Sequence, residues 1–305
     1  MVAITQPAST SARRRTGWQR LTPEFRTTAL LLAPSIILLL VVIAYPMVQG
    51  LWYSVTNGSL LKAGRFVGLN NYATLLTDQA FWNSVRFSLI FAVANIIGCY
   101  SLGLGLALLL SQEFPGRGVL RVALLLPWII PSLCAIVSWR WLVNDENALF
   151  NLIIKAFGGE PIFFLSSSSW AVALVILVKI WRSFPFMLLS LLAALQTIDR
   201  SLYEAADMDG ANNWQSFKHI TMPAISGVSI VLCLLMTIWS VNDFDTPWLM
   251  AQGGPANATE NLVVLAYRYT FQRSNVGMGA AVSFLTLAVL MVIFVIVLRI
   301  QRRGQ

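Results

Sequence analysis

Apolar residues in this chain come in long unbroken runs rather than in alternation with polar ones. No Asp, Glu, Lys or Arg interrupts the stretch between Arg86 and Glu113, nor the stretch between Arg273 and Arg299. Each exceeds the roughly 20 residues a helix needs to cross a hydrocarbon core. Four further stretches, Thr28 to Val48, Val119 to Val143, Trp170 to Leu195 and Ala224 to Met250, follow the same pattern with a few polar interruptions. Six membrane-spanning helices are therefore predicted. A transmembrane β-barrel would show segments of about ten residues with alternating polarity, so the fold class is all-α.

The remaining segments are short. Residues 1–27 read as a Ser-, Thr- and Arg-rich tail, 28–55 as the first span, 56–83 as a looped excursion carrying Gly58, Gly64 and Gly68, 84–298 as a five-span core, and 299–305 as a second tail. Ala148 to Phe157 is too short to span and apolar enough to lie at an interface, and Gly158-Gly159 break it. After Gly253-Gly254-Pro255 comes another short amphipathic stretch, Leu262 to Phe271. Pro34, Pro46, Pro127, Pro131, Pro185 and Pro247 lie in or beside spans, where a missing backbone donor kinks a helix. They fit either ordinary kinks or a path that opens by helix bending.

Composition agrees: 57% of the 305 residues are hydrophobic and 11% charged, too little polar surface for a water-soluble fold of this size. The net charge of +8 is a topology signal rather than a nucleic-acid footprint. With the N-terminus inside, twelve Lys and Arg fall on the inner side, Arg13, Arg14, Arg15 and Arg20 among them, and six fall outside. The positive-inside rule then places both termini in the cytoplasm. Cys99, Cys134 and Cys233 sit in different spans and His219 is the single histidine, so no metal site and no resident cofactor is expected.

The most informative segment lies between the fourth and fifth spans, at 199–223. Ser201 to Asp209 is helix-prone, Asp209 to Asn213 supplies a turn with Gly210 suited to positive φ, and Trp214, Phe217 and Ile220 recur at helical spacing up to Pro223. A helical hairpin on the cytoplasmic side is predicted, with two short helices at right angles and an apolar face on the second. Its residues Glu204-Ala205-Ala206, Gly210, Ile220 and Pro223 stand at the offsets of a known signature, EAA, three residues, Gly, nine residues, Ile-x-Leu-Pro, with Met222 in place of the leucine. In this the chain resembles the permease subunits of binding-protein-dependent ABC importers.

That resemblance implies a type I importer permease in a bacterial inner membrane. It implies that Glu204, Ala205, Ala206, Asp209, Gly210, Ala211, Phe217, Ile220 and Pro223 couple it to an ATPase. The partners implied are a second permease subunit, two subunits that bind ATP and Mg, and an extracytoplasmic substrate-binding protein. The chain has no GxxxxGK[ST] loop of its own, and no catalytic residue is expected. Trp181-x-x-Phe184-Pro185, Ala194-Leu195-Gln196 and Gly253-Gly254-Pro255 are similar to stretches of the carbohydrate class, which includes maltose and glycerol-phosphate systems. A sugar substrate is the expectation.

Ionisable residues inside spans are costly and usually face a cavity or a partner. Arg182 falls near the middle of the fourth span, and Asp243 and Asp245 are placed in the outer half of the fifth, within reach of Arg182 and Arg140. Two readings stay open for this group. One is a buried ion pair that fixes helix packing; the other is a sugar path built from Trp181, Arg182, Phe184, Trp239, Ser240, Asn242 and Asp243, whose aromatics suit sugar rings and whose polar groups suit hydroxyls. Two alternatives to the importer are a stand-alone secondary transporter relaying protons through Asp243 or Asp245 and a structural subunit with no path.

Overall fold

A computed structural model describes residues 23–62 and 64–303, so the expected basic run Arg13 to Arg15, with Arg20, lies outside the described residues. The chain divides between Gly50 and Leu51 into two compact units. The first is a helix, α1 (Pro23–Leu39), widened by a π turn at Leu40–Ala44 and continued by α2 (Tyr45–Ser54), whose last residues belong to the second unit.

In the second unit α3 (Asn70–Thr77) leads into α4 (Gln79–Ser111), α5 (Arg117–Ile129) and α6 (Ser132–Val143). There follow the short α7 (Leu149–Ala156), the long α8 (Ser168–Leu195), then α9 (Arg200–Met208) and α10 (Asn213–Ser216). A π turn at Phe217–Thr221 joins α10 to α11 (Met222–Val241), and α12 (Asp245–Ala251), α13 (Leu262–Tyr267) and α14 (Val276–Arg303) complete the chain. Among the described residues no strand forms; one antiparallel bridge, Thr56 to Phe66, closes the 56–66 loop.

Among the described residues, five helical stretches are long and apolar enough to span a membrane. The expected span Val119 to Val143 is a bent pair, α5 and α6 meeting at 92°, and makes the sixth span where the pair is taken as one. Pro131 explains the break. It forces Ile130 into an extended conformation (ψ 131°) and cannot donate to the preceding turn. The fifth span also ends earlier than expected, at Val241 rather than Met250, and α12 is a separate helix.

Paired positions fix the helix directions. Along α4 and α8, Gly98 meets Ile180 and Gly103 meets Met187, so these helices run parallel. Along α4 and α11, Asn95 bonds Ser240 and Tyr100 bonds Ser229, so α11 runs against them. One end of the bundle therefore carries the 112–116 and 196–212 connections, and the opposite end carries 144–167 and 242–275. Near the first end Leu104, Ala107, Leu110, Leu188, Leu191 and Ile225 form a buried core. Toward the other, Phe87 and Phe91 of α4 pack on Ile136, Leu174, Val175 and Val178.

Buried amides staple the far-end loops. Asn71 donates to the Ser54 and Thr56 carbonyls at 2.8 Å each. Asn151 donates to the Asp145 and Ile162 carbonyls and accepts from the Ile162 N–H, satisfying backbone groups that no regular element pairs. The expected interfacial helix at 148–157 thereby becomes α7, held against its own flanking loop. Glu260, buried, pairs with Arg268 and accepts from the Ser84 hydroxyl. Burial raises its carboxyl above the ordinary carboxylate range, with Arg268 pulling the other way.

Candidate functional site

Two groups of side chains stand out, at opposite ends of one helix. The first is the hairpin at 199–223. Asp199 begins α9 by accepting the Ser201 N–H at 2.9 Å, and that bond holds its carboxyl below the usual range. Glu204, Ala205 and Ala206 occupy the middle of α9, and Glu204 pairs with Arg200 one turn back, both exposed. The helix ends in a Schellman motif: Gly210 N–H to Asp207 O and Ala211 N–H to Ala206 O, with Gly210 at φ +79°.

A capping box starts the next helix two residues later. Asn212 accepts the Gln215 N–H at 2.9 Å, and the Gln215 side chain accepts the Asn212 N–H at 2.7 Å. The turn is thus defined from both sides by short-range bonds, and Tyr203 O–H to Thr221 Oγ1, 2.8 Å, ties α9 back onto the π turn. Either hydroxyl can donate.

The second hairpin helix was expected to stop at Pro223; it does not. The run from Asn213 to Val241 is a continuous span. The π turn makes this possible: Met222 N–H bonds Phe217 O, so the wide turn takes up the backbone that a proline two residues later would otherwise clash with. The same device precedes Pro46 in the first span.

The apolar face also differs from expectation. Phe217 and Ile220 are partly buried, and Phe217 packs on the core of α4, α8 and α11. The hydrophobic residues the hairpin displays are Leu202, Met208 and Trp214, with Met208 89% exposed. Leu202 and Met208 flank the Glu-Ala-Ala triplet on α9 six residues apart, a separation that puts them on different sides of the helix and gives no periodic signal in the sequence. Glu204, Ala205, Asp209, Gly210 and Pro223 are exposed; Ala206 and Ala211 are half-buried.

The second group lies where α11 ends. Lys179 and Asp243 form a 2.9 Å ion pair and each is 9% exposed. Asp243 further accepts the Thr246 hydroxyl at 2.7 Å and the Thr246 N–H at 3.2 Å, and its backbone carbonyl accepts from Asn261 at 2.6 Å. Asp245 accepts from Ser132 at 2.8 Å. The expected pairing of Asp243 and Asp245 with Arg182 and Arg140 is therefore corrected. Asp243 emerges beyond the last turn of α11, level with Lys179, whereas Arg182 lies nearly one turn further along α8. Arg182 instead donates to Thr246 Oγ1 at 3.4 Å, and Arg140 to Leu249 O at 3.3 Å.

The other residues named for a path divide by burial. Ser240 is fully buried, accepting from Asn95 at 2.7 Å and donating to Met236 O. Phe184 is buried in the core beside Met187 and Leu188. Trp181 is half-buried and edge-on to Trp139, centroids 5.5 Å apart. Trp239 is exposed and packs edge-on against Phe186 at 4.9 Å. Asn242 lines a separate cleft of about 490 Å³ between α11, α13 and α14, with Ser283 and Thr286. The structure brings Trp181, Arg182 and Asp243 into one layer and leaves Asn242 outside it. Lys179, Thr246 and Asn261 belong to that layer and do not stand out in the sequence, because a lone Lys, Thr or Asn acquires meaning only from its neighbours in space.

A family model described as binding-protein-dependent transport system inner membrane component matches residues 99–304. The chain is 35% identical to the sulfoquinovosyl glycerol transport system permease protein SmoG of Agrobacterium fabrum, covering 90% of this chain and 89% of that one. It is 34% identical to the trehalose/maltose transport system permease protein MalF of Thermococcus litoralis, covering 92% and 95%. It is 30% identical to the trehalose transport system permease protein SugA of Mycobacterium tuberculosis, covering 98% and 96%. Among solved structures, a chain of a bacterial ABC transporter involved in alginate import superposes with a TM-score of 0.82 at 22% identity, over 93% of this chain and 99% of that one. The fold is shared with that importer.

Proposed function

The chain belongs to the binding-protein-dependent transport system inner membrane component family, and from that premise we propose that it is one of two permease subunits of an ATP-driven carbohydrate importer, moved by ATPases that grip its hairpin. In this reading the hairpin and both termini are cytoplasmic, two ATP-binding subunits hold ATP and Mg, and an extracytoplasmic binding protein delivers a sugar to the far end. Relatives named for trehalose, maltose and a sulfoquinovosyl glycerol favour the carbohydrate class.

The observation that carries the proposal is mechanical continuity. The hairpin's second helix and the fifth span are one helix of 29 residues, Asn213 to Val241, roughly 43 Å long at 1.5 Å per residue. A displacement imposed on the hairpin reaches the Asp243 turn without passing through a flexible joint. The hairpin suits a force-bearing contact: its turn is fixed by the Gly210 and Asn212 motifs, and Leu202, Met208 and Trp214 offer apolar surface for a groove on another protein. At the other end, closure of the polar layer between α8, α11 and α12 would govern passage between helices.

The test is reconstitution of the importer with its partner subunits in proteoliposomes. Glu204→Arg and Gly210→Pro are expected to abolish binding-protein-stimulated ATP hydrolysis and sugar uptake while the chain still accumulates in the membrane. Uptake at the unaltered rate in both variants would sink the coupling assignment.

A further inference from the structure

The charges in the polar layer do not balance. Lys179 and Arg182 on α8 and Arg140 on α6 bring three cations to it; Asp243 and Asp245 bring two carboxylates. Asp243 is committed to Lys179 and Thr246, and Asp245 takes the Ser132 hydroxyl. Among the described residues the ion pairs are Lys179–Asp243, Arg200–Glu204 and Arg268–Glu260, so neither Arg182 nor Arg140 has a carboxylate in ion-pair contact, within 4 Å.

What Arg182 does have is weak. Its bond to Thr246 Oγ1 is long, at 3.4 Å, and that hydroxyl already donates to Asp243 at 2.7 Å. The guanidinium presents five donors in a fixed fork, and this one long bond leaves most of them without a strong partner. A cation held part-way along a membrane helix is retained where it faces a water-filled path or a counter-charge. At the same level of the bundle, Trp181 precedes it on α8 and meets Trp139 of α6 edge-on.

Resting on the permease reading above, we infer that the carbohydrate this subunit passes is anionic, carrying a carboxylate, sulfonate or phosphate that Arg182 reads. The planar guanidinium matches such groups with two parallel hydrogen bonds, and the aromatic pair at its level suits the apolar face of a sugar ring. Arg182 is then a specificity residue: a neutral sugar leaves a partly desolvated guanidinium without its counter-charge, and an acidic sugar supplies it. Lys179, already neutralised by Asp243, does not compete for the anion.

The complete importer with its binding protein, in proteoliposomes, is offered matched pairs of labelled sugars, each a neutral mono- or disaccharide and the uronate made from it by oxidation at C6. The expected result is uptake of the uronate member, a fall of at least about tenfold for that sugar in Arg182→Gln, and partial recovery in Arg182→Lys. Assembly of the variant complexes, followed by size-exclusion chromatography, separates a folding defect from a transport defect, and the lysine variant keeps the test open if glutamine does not assemble. Preferred uptake of neutral sugars by the unaltered importer overturns the inference. So does a fall in Arg182→Gln that is equal for both members of a pair, which would assign the guanidinium to a carboxylate of the neighbouring permease. Uptake of no sugar at all by the unaltered complex overturns the importer reading beneath it, and that outcome is read from the wild-type arm alone.

Discussion

Lys179 and Asp243 meet at 2.9 Å and join the middle of α8 to the first turn beyond α11. Because α11 is the direct extension of the hairpin helix, this pair anchors the end of that helix opposite the hairpin. It is also well satisfied: Asp243 gathers Lys179, the Thr246 hydroxyl and the Thr246 N–H, which is what a buried charge requires if it is not to cost more than it contributes.

Breaking the pair from one side leaves the other charge buried and alone. Lys179→Met or Asp243→Leu is expected to destabilise the chain by about 3–5 kcal/mol, and the double replacement to recover most of that loss. Thermal unfolding of the detergent-solubilised protein measures this directly. Single variants that melt with the parent would show that the pair does not hold the layer.

The hairpin turn makes a prediction that separates conformation from chemistry. Gly210 sits at φ +79° with open space around it, so a side chain there meets strain rather than a clash. Gly210→Val is expected to cost about 1–3 kcal/mol of local stability, Gly210→Asn much less, because asparagine tolerates the left-handed region. Asn212→Ala removes the capping box for a further ~1 kcal/mol. Hydrogen exchange at the Ala211 and Gln215 amides reports both; equal protection in the valine and asparagine variants would contradict the strain argument.

Much of this architecture is written in local pattern. The apolar runs give the spans because a bilayer demands a fixed length, and Gly210 and Asn212 give the turn because their bonds reach only a few residues. Non-local geometry stays hidden. The passage of the helix through Pro223 and the separation of α12 from α11 depend on what each helix packs against, and although Pro131 makes the 92° break locally, nothing in the sequence sets it apart from Pro127 and Pro185, which lie inside continuous helices. Asp243 is conspicuous in the sequence as a charge in an apolar setting, yet its partner is Lys179 rather than Arg182, a choice made by where α11 ends.

Asp199 links the hairpin to pH. Its bond from the Ser201 N–H lowers its folded-state pKa below the ordinary value of 3.8. A depressed carboxylate contributes stability that is fully present above the unfolded value and is lost as pH falls through the folded one. The start of α9 should therefore keep its protection at neutral pH and fray only in acid, below about pH 4. In Asp199→Asn, which caps without a charge, amide exchange at Ser201 should lose that acid dependence. An acid transition that persists in the asparagine variant would assign it to another group.

Two glycines on α4 test the packing that holds the long helices together. Gly103 is buried, and a Cβ placed there would lie 2.8 Å from Met187 Cγ and 3.0 Å from the Leu188 backbone nitrogen. Gly105, two residues on, faces open space with nothing within 4 Å. Small residues at helix crossings let backbones approach in membranes, where packing rather than hydrophobic burial drives association. Gly103→Ala must push α8 away or distort α4, and is expected to cost about 1–3 kcal/mol. Gly105→Ala meets no such obstacle and gains helix propensity, for a stabilisation of up to ~1 kcal/mol. The chemical change is identical, so opposite shifts in melting temperature isolate the α4–α8 contact; shifts of the same sign would mean that this crossing is not the tight one.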